Sequence, residues 1–416
     1  TYNAADSVIV GKYVGEQALA AVGTSTPIMN IAILLISGMC MGASVLMSSQ
    51  YGAKDYDTLS RQISTTMLAG CGFSVVFSLL MLLLENPVLR LIRVPETAIP
   101  EAAAYLRIIF MGLIFTFMYN FLANTMRALG DSKTPLYFLV TSAFLNIFGD
   151  LFFVVVLRWG VAGSAIATVC SEGLCCLLCG IYIKKKIPLL CLGKKWWVFD
   201  KSLLGKTVSY GSTSAMQQVC LQLGKLIIQS VVNTQGVAVM AAFTAVNRVD
   251  DFAYTPQQNI GHAMTTFLAQ NKGAGHKERM KKGFQTGLLI ELVYSIGLFC
   301  VIWGLAPQIM TLFAEDGDAQ VVSLGISYLH LISWMYILPG LTNGVQGFFR
   351  GIGDLKVTLY STFMNMFGRV VAVFVMIRLL QMEFASLAWA NMVGWIVMLL
   401  FEVPLLVKSM RNGECG

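Results

Sequence analysis

The chain has 416 residues, of which 56% are apolar and only 12% charged, against about 25% charged in an average soluble domain. With a mean hydropathy of +0.70, it carries too little charge to cover a water-soluble enzyme. Its 25 Phe, 14 Tyr and 7 Trp exclude a disordered chain. What remains is an all-α polytopic membrane protein.

Residues 1–11 look helical but reach only about 15 Å, half a bilayer. The expectation is therefore a chain that starts partway through a first helix. Complete apolar spans follow near 19–49, 60–84, 101–127, 134–157 and 160–183. A basic segment with Pro188 and Gly193 comes next, then spans near 203–232, 237–270, 283–305, 321–350, 356–379 and 384–407. Eleven spans plus the partial one predict twelve transmembrane helices. The expected domains are an N-lobe at 1–183, a linker at 184–202 and a C-lobe at 203–416.

The 10 Cys fall mostly inside apolar runs, such as Cys175, Cys176 and Cys179, as small core hydrophobes do. Three His (His262, His276, His330) are too few for a His-based metal site. The net charge of +7 has an address. Numbered by the twelve-span scheme, the even loops and C-terminus hold twenty Lys and Arg; the odd loops hold Lys12, Arg90, Arg93, Arg158 and Arg378. This positive-inside bias puts the even loops and both termini in the cytoplasm. It reports orientation in a lipid bilayer, not a nucleic-acid partner. The acids Glu315, Asp316 and Asp318 fall on the outer side.

The two halves of the chain resemble each other. Leu19-Ala-Ala answers Met240-Ala-Ala and Gly52-Ala53 answers Gly273-Ala274, each 221 positions on. Tyr105-Leu106 answers Tyr328-Leu329, and Arg127-Ala-Leu-Gly-Asp-Ser-Lys133 answers Arg350-Gly-Ile-Gly-Asp-Leu-Lys356, each 223 on. The repeat unit is six helices. Six is even, so both copies enter the membrane in the same direction, a parallel duplication of the kind transporters use. Gly130 and Gly353 are read as helix terminators, with the following Asp available to nearby basic groups. Gly38-x3-Gly42, Gly283-x3-Gly287 and Gly340-x3-Gly344 are read as close helix packing.

An ordered set of motifs then resembles the multidrug and toxic compound extrusion (MATE) family, bacterial type. The set comprises Tyr2-Asn-Ala-Ala-Asp6, Leu19-Ala-Ala-Val-Gly23, Gln50-Tyr-Gly-Ala53, Arg127-Ala-Leu-Gly-Asp131, Asn146-Ile-Phe-Gly-Asp150, Gly160-Val-Ala-Gly163 and Val246-Asn-Arg-Val249 with Pro256. The resemblance implies a twelve-helix, two-lobed antiporter that is not an enzyme. Such a protein needs no cofactor and exports cationic or amphipathic drug-like molecules in exchange for H⁺ or Na⁺. It also implies a cation site at Asp6, Asn146, Asp150 and Thr168, with a polar residue from the fourth helix, Asn120, nearby.

The residues support that site on their own account. A charge inside a span is costly and so usually has a task. By counting 1.5 Å per residue, Asp6, Asp150 and Thr168 all sit about 10 Å below the outer surface. Asn146 shares a face with Asp150 one turn deeper. Two close carboxylates cannot both ionise cheaply, and a proton or a Na⁺ relieves them equally. Carboxylate, amide and hydroxyl oxygens suit a hard cation, by analogy with the divalent ions. The alternative is a hydrogen-bond network that only locks the lobe.

The second copy has lost these acids. Asp150 corresponds to Val373 and Asn146 to Arg369. Lys225 and Arg369 require compensation, expected from Asp250, Asp251 and Glu291. Gln217, Gln257, Gln258, His262, Asn343 and Gln346 are candidate cavity-lining residues. Glu172 lies mid-span with no assigned role, and Glu402 lies near the inner surface. No catalytic or nucleotide-binding motif appears, so transport must draw on an ion gradient. The expected protein is a monomer in a bacterial plasma membrane. The rivals are a flippase for lipid-linked precursors and a membrane receptor.

Overall fold

The computed structural model describes residues 2–91, 94, 96, 98–187, 197–313, 319–380, 384 and 386–411. Lys194, Lys195, Arg93, Glu315, Asp316 and Asp318 lie outside them, and so does the side chain of Arg378. Among the described residues the secondary structure is helical, without strands. The helices are α1 (Tyr2–Tyr13), α2 (Glu16–Gly52), α3 (Tyr56–Leu91), α4 (Ile99–Met111), α5 (Leu113–Ala128), α6 (Lys133–Asp150) and α7 (Gly160–Lys186). There follow α8 (Lys201–Val232), α9 (Val237–Gly273), α10 (Lys277–Phe313), α11 (Ala319–Ser333), α12 (Ile337–Gly351), α13 (Leu355–Val373) and α14 (Ser386–Arg411). Helices cover all eleven expected stretches; that at 101–127 is delivered as α4 and α5, bent by 45° at Gly112, and that at 321–350 as α11, a short 3₁₀ turn and α12.

Eight of these helical stretches are long and apolar enough to cross a membrane, or nine counting the bent pair. The long helices α8 and α9 are not among them. They carry Lys225, Arg248, Asp250 and Asp251, so the excess polarity sits on two adjacent helices of the second half. Elsewhere, large apolar side chains are exposed along whole helix faces. Val76, Leu79 and Leu83 form such a stripe on α3, and Leu289, Val293 and Ile296 on α10. A face of that kind is stable against lipid tails and not against water.

The duplication is written into the backbone. Positive φ occurs at Gly15 and Gly236, at Lys54 and Gly275, and at Gly130 and Gly353. These pairs are separated by the same 221 or 223 residues. Gly130 ends α5 with Asp131 N bonded to Met126 O at 3.0 Å, and Gly353 ends α12 with Asp354 N bonded to Phe349 O at 2.8 Å. Only glycine adopts this left-handed turn at no cost, which is why the motif keeps it. A π-helical segment follows α6 at Leu151–Val156 and recurs after α13 at Phe374–Leu379. The bend at Gly112 recurs as the 3₁₀ turn Trp334–Tyr336.

The chain forms two compact units. Unit 1 is Thr1–Tyr51 with Asp55–Ala215; unit 2 is Gly52–Lys54 with Met216–Gly416. The division falls within α8, not at the linker where the sequence suggested a lobe boundary. The reason is local. A Cβ on Gly38 or Gly42 would collide with the α8 backbone at Ala215 or at Tyr210–Gly211. In addition, Gln62 Nε2 donates to Thr207 Oγ1 at 2.5 Å, and Arg61 pairs with Asp200 at 2.5 Å. The first half of α8 is thus held to α2 and α3. Each unit has its own core. Ile36, Phe110, Phe117 and Phe121 sit in that of unit 1. Tyr328, Leu329, Ile332 and Tyr336 sit in that of unit 2.

Candidate cation site and the polar groups of unit 2

Four side chains far apart in sequence meet inside unit 1. Asp6 comes from α1, Asn146 and Asp150 from α6, and Thr168 from α7; all are buried. Asn146 Nδ2 donates to Thr168 Oγ1 at 3.2 Å. Thr168 Oγ1 lies 3.4 Å from Asp6 Oδ2 and 3.2 Å from Ser164 O, and its single hydrogen serves one of them at a time. The carboxyl groups of Asp6 and Asp150 face each other, with Ser164 beside Asp150.

The site is short of donors. Asp6 Oδ1, Asn146 Oδ1, Ser164 Oγ and both oxygens of Asp150 are buried without a hydrogen-bond partner. A network that served only to lock helices together would satisfy its members, because buried polar groups are normally paired. Carboxylate, amide and hydroxyl oxygens converge, and among the described residues no Lys or Arg pairs with the two carboxylates. Such an arrangement can take up a proton or a small hard cation.

Asn120 does not join this cluster. Its amide donates to Thr116 O on its own helix at 2.8 Å. Thr116 instead leads to an acid that sequence reasoning left without a role. Its hydroxyl donates to Glu172 Oε2 at 2.5 Å, and Glu172 is buried one turn along α7 from Thr168. Tyr105 lies within electrostatic reach of Asp6, Asp150 and Glu172 together. The i, i+4 spacing of Thr168 and Glu172 was the signal for this neighbourhood.

In unit 2 the charges sort differently from the expected single network. Lys225 pairs with Asp251 at 3.5 Å, and both are more than half exposed. Asp250 is buried, with its carboxylate accepting from Tyr336 at 2.6 Å and from Tyr328 at 3.1 Å. Arg369 acts on Asp250 electrostatically. Lys225, Asp250, Asp251 and Arg369 line a cavity of about 230 Å³ together with Gln222, Asn247 and Tyr254. Glu291 is not among its lining residues and has no donor to either oxygen. Assigning it to Lys225 or Arg369 is corrected accordingly.

None of the six candidate cavity residues lines that cavity either. Gln217 and Gln346 are buried and hydrogen-bonded to each other at 3.2 Å, and Arg350 donates to Gln346 at 2.6 Å. Glu402 approaches Arg350, Ser361 and Gln346 and is fully buried. Gln257 is buried and bonded to Tyr336 O and Ser295. Asn343 donates to Pro339 O, Gln258 is exposed and His262 is half-buried.

A duplicated bundle with lipid-suited faces, polar clusters inside it and no sequence signature of an enzyme defines a multipass membrane transporter. The sequence model of the MatE family matches residues 1–152 and 214–376, and the chain belongs to that family, the multidrug and toxic compound extrusion transporters. It is 31% identical over 357 residues to the probable multidrug resistance protein YpnP of Bacillus subtilis, covering 85% of this chain and 79% of that protein. It is 23% identical to the probable multidrug resistance protein NorM of Thermotoga maritima, covering 95% of this chain and 85% of that one. Its fold matches a crystal structure of a MATE transporter in complex with MaL6. That match has a TM-score of 0.92 at 22% identity and covers 100% of this chain and 92% of the other.

Proposed function

We propose that this chain exports drug-like cationic or amphipathic molecules in exchange for H⁺ or Na⁺ by alternating access, with Asp6 and Asp150 as the coupling carboxylates. The observation that carries the reading is the buried set of unpartnered oxygens on Asp6, Asn146, Asp150 and Ser164. Ion uptake there neutralises the carboxylates and lets α1, α6 and α7 pack without repulsion. Ion release restores the charge and changes that packing. The relatives named multidrug resistance proteins support drug-like substrates. The bias of basic residues supports a bacterial plasma membrane with both termini inside. The unit acting in transport is a single chain, with the two six-helix repeats as its lobes.

The test is dye efflux from proteoliposomes under an imposed pH or Na⁺ gradient. Asp6→Asn and Asp150→Asn should each abolish gradient-driven efflux while leaving the protein folded. Undiminished efflux in both would overturn the reading. Which gradient drives the wild type names the ion.

A flippase for lipid-linked precursors is the second reading, because Lys225 and Arg369 sit in the unit 2 cavity. Asp250 and Asp251 line the same cavity and balance that charge, which favours small amphoteric substrates over an anionic lipid. Binding of cationic dyes against lipid-linked sugars separates the two.

A further inference from the structure

Glu291 on α10 is a buried acid with no role in the site described above. It is 1% exposed, and neither carboxyl oxygen has a hydrogen-bond partner. Gln257 on α9, also fully buried, approaches from the other side. Its Nε2 donates to Ser295 Oγ at 3.1 Å and to Tyr336 O at 2.8 Å, while its Oε1 has no partner. The space between them lies over Gly340 of α12. A Cβ placed on Gly340 would meet Ser295 Oγ at 2.9 Å, Gln257 Nε2 at 3.3 Å and Glu291 Oε2 at 3.4 Å. Glu291 Oε2 and Ser295 Oγ therefore border a spot that glycine keeps clear, with the Gln257 amide on its rim.

The duplication shows that the fold requires neither the acid nor the amide, although Ser295 keeps a serine, Ser74, at its place in unit 1. At the repeat offsets, Glu291 corresponds to Gly70, Gly340 to Phe117, Gln257 to Ile36 and Tyr336 to Leu113. In unit 1 that place is apolar core. Ile36, Leu113 and Phe117 belong to it, and a Cβ on Gly70 would run into the Phe117 ring. In unit 2 the bulk and the glycine have changed places, and the ring has been replaced by a carboxylate. A carboxylate put where apolar packing suffices, and given no donor, is costly unless it binds something.

We propose that Glu291, Gln257 and Ser295 form a second binding site for a small monovalent cation, H⁺ or Na⁺, within unit 2. The Glu291 carboxylate supplies the charge, and Gln257 Oε1 and Ser295 Oγ supply neutral oxygens. The titratable and charged groups on the elements packed around α10 are Arg248, Asp250, Asp251, Tyr254, His262 and Lys272 on α9, Tyr328 and His330 on α11, Tyr336 on the 3₁₀ turn and Arg350 on α12. Tyr294 lies on α10 itself. None of them is hydrogen-bonded to Glu291. Tyr294 donates to Ala253 O, Arg350 to Gln346, and Tyr336 to Asp250. The site is independent of Asp6 and Asp150, so it stands or falls separately from the coupling role proposed for them.

The test uses the full chain in nanodiscs, carrying Asp6→Asn and Asp150→Asn throughout to silence the unit 1 site. Infrared difference spectra follow protonated carboxyl groups in one titration of pH in choline buffer and another of Na⁺ at fixed pH. The expected result is one carboxyl band that disappears as pH rises and is lost in Glu291→Gln. Displacement of that band by Na⁺ assigns both ions to the site; response to pH alone assigns the proton. Gln257→Leu, which restores the apolar character found in unit 1, should shift the midpoint at least about tenfold in ion concentration. The proposal is overturned if no titrating band is lost with Glu291→Gln, or if Gln257→Leu leaves the midpoint unmoved.

Discussion

Asn146 and Arg369 hold the same place in the two copies of the repeat, and they set opposite electrostatics there. Asn146 ties Thr168 in unit 1 and leaves its own oxygen unsatisfied beside Asp6 and Asp150. Arg369 brings a fixed positive charge that acts on Asp250 in unit 2. In the proposed reading the first copy receives a cation. The second carries one covalently.

Arg369→Gln should therefore destabilise the protein, because Asp250 stays buried without its counter-charge. The double variant Arg369→Gln/Asp250→Asn should recover most of the loss. Tyr336→Phe and Tyr328→Phe each remove a hydroxyl from the Asp250 carboxylate and should cost about 1–3 kcal/mol. Thermal unfolding of the detergent-solubilised protein measures all four.

In unit 1, Thr168→Val deletes the hydroxyl that joins Asn146 to Asp6 while preserving shape. Half-maximal efflux should need about tenfold more coupling ion, equivalent to about 1.4 kcal/mol. Thr168→Ser keeps the hydroxyl and should stay near the wild type. Equal behaviour of the two variants would remove Thr168 from the site.

Much of this was legible in the sequence, for identifiable reasons. Gly130 and Gly353 could be read as helix ends because the left-handed turn admits little else, and the backbone bears them out. Asp6, Asn146, Asp150 and Thr168 were brought together by the family resemblance, and the rarity of charge inside a span and a depth counted by residues agreed with it. Glu291 was misassigned because a count gives depth and not the neighbour a helix face will meet. Gln217 and Gln346 were taken for cavity residues on the same ground, although their amides close on each other inside unit 2. The glycines at 38 and 42 announced close packing without naming α8 as the partner.

That packing gives a sharp test. Gly38→Leu and Gly42→Leu must drive side chains into the α8 backbone and should lower yield and melting temperature strongly. Gly23→Ala lies on the same helix with nothing within 4 Å. It should be neutral or stabilise by up to about 1 kcal/mol.

The end of the linker is pinned by chemistry that responds to pH. Asp200 Oδ1 accepts from Ser202 N at 2.8 Å and Leu203 N at 3.2 Å at the start of α8. Val198 N and Asp200 N donate to Ser64 and Thr65 of α3. The Leu203 backbone N–H above all, with Ser202 and Arg61, holds the Asp200 carboxyl below the ordinary carboxylate range. Its contribution is therefore complete above about pH 4, the ordinary value, and fades as pH falls through its own lower pKa. Asp200→Ala should make the 197–203 segment sensitive to protease at neutral pH. The variant and the wild type should converge in strong acid.

The paired π-helical segments at Leu151–Val156 and Phe374–Leu379 carry a historical consequence. Each is a six-residue π-helical stretch that ends its helix, a conformation rare outside single turns. Both copies keep it at the same register, although one follows Asp150 and the other Val373. The irregularity thus belonged to the ancestral six-helix unit and outlived the divergence of the side chains around it. In this molecule the winding of the helix end is older than the chemistry it now presents.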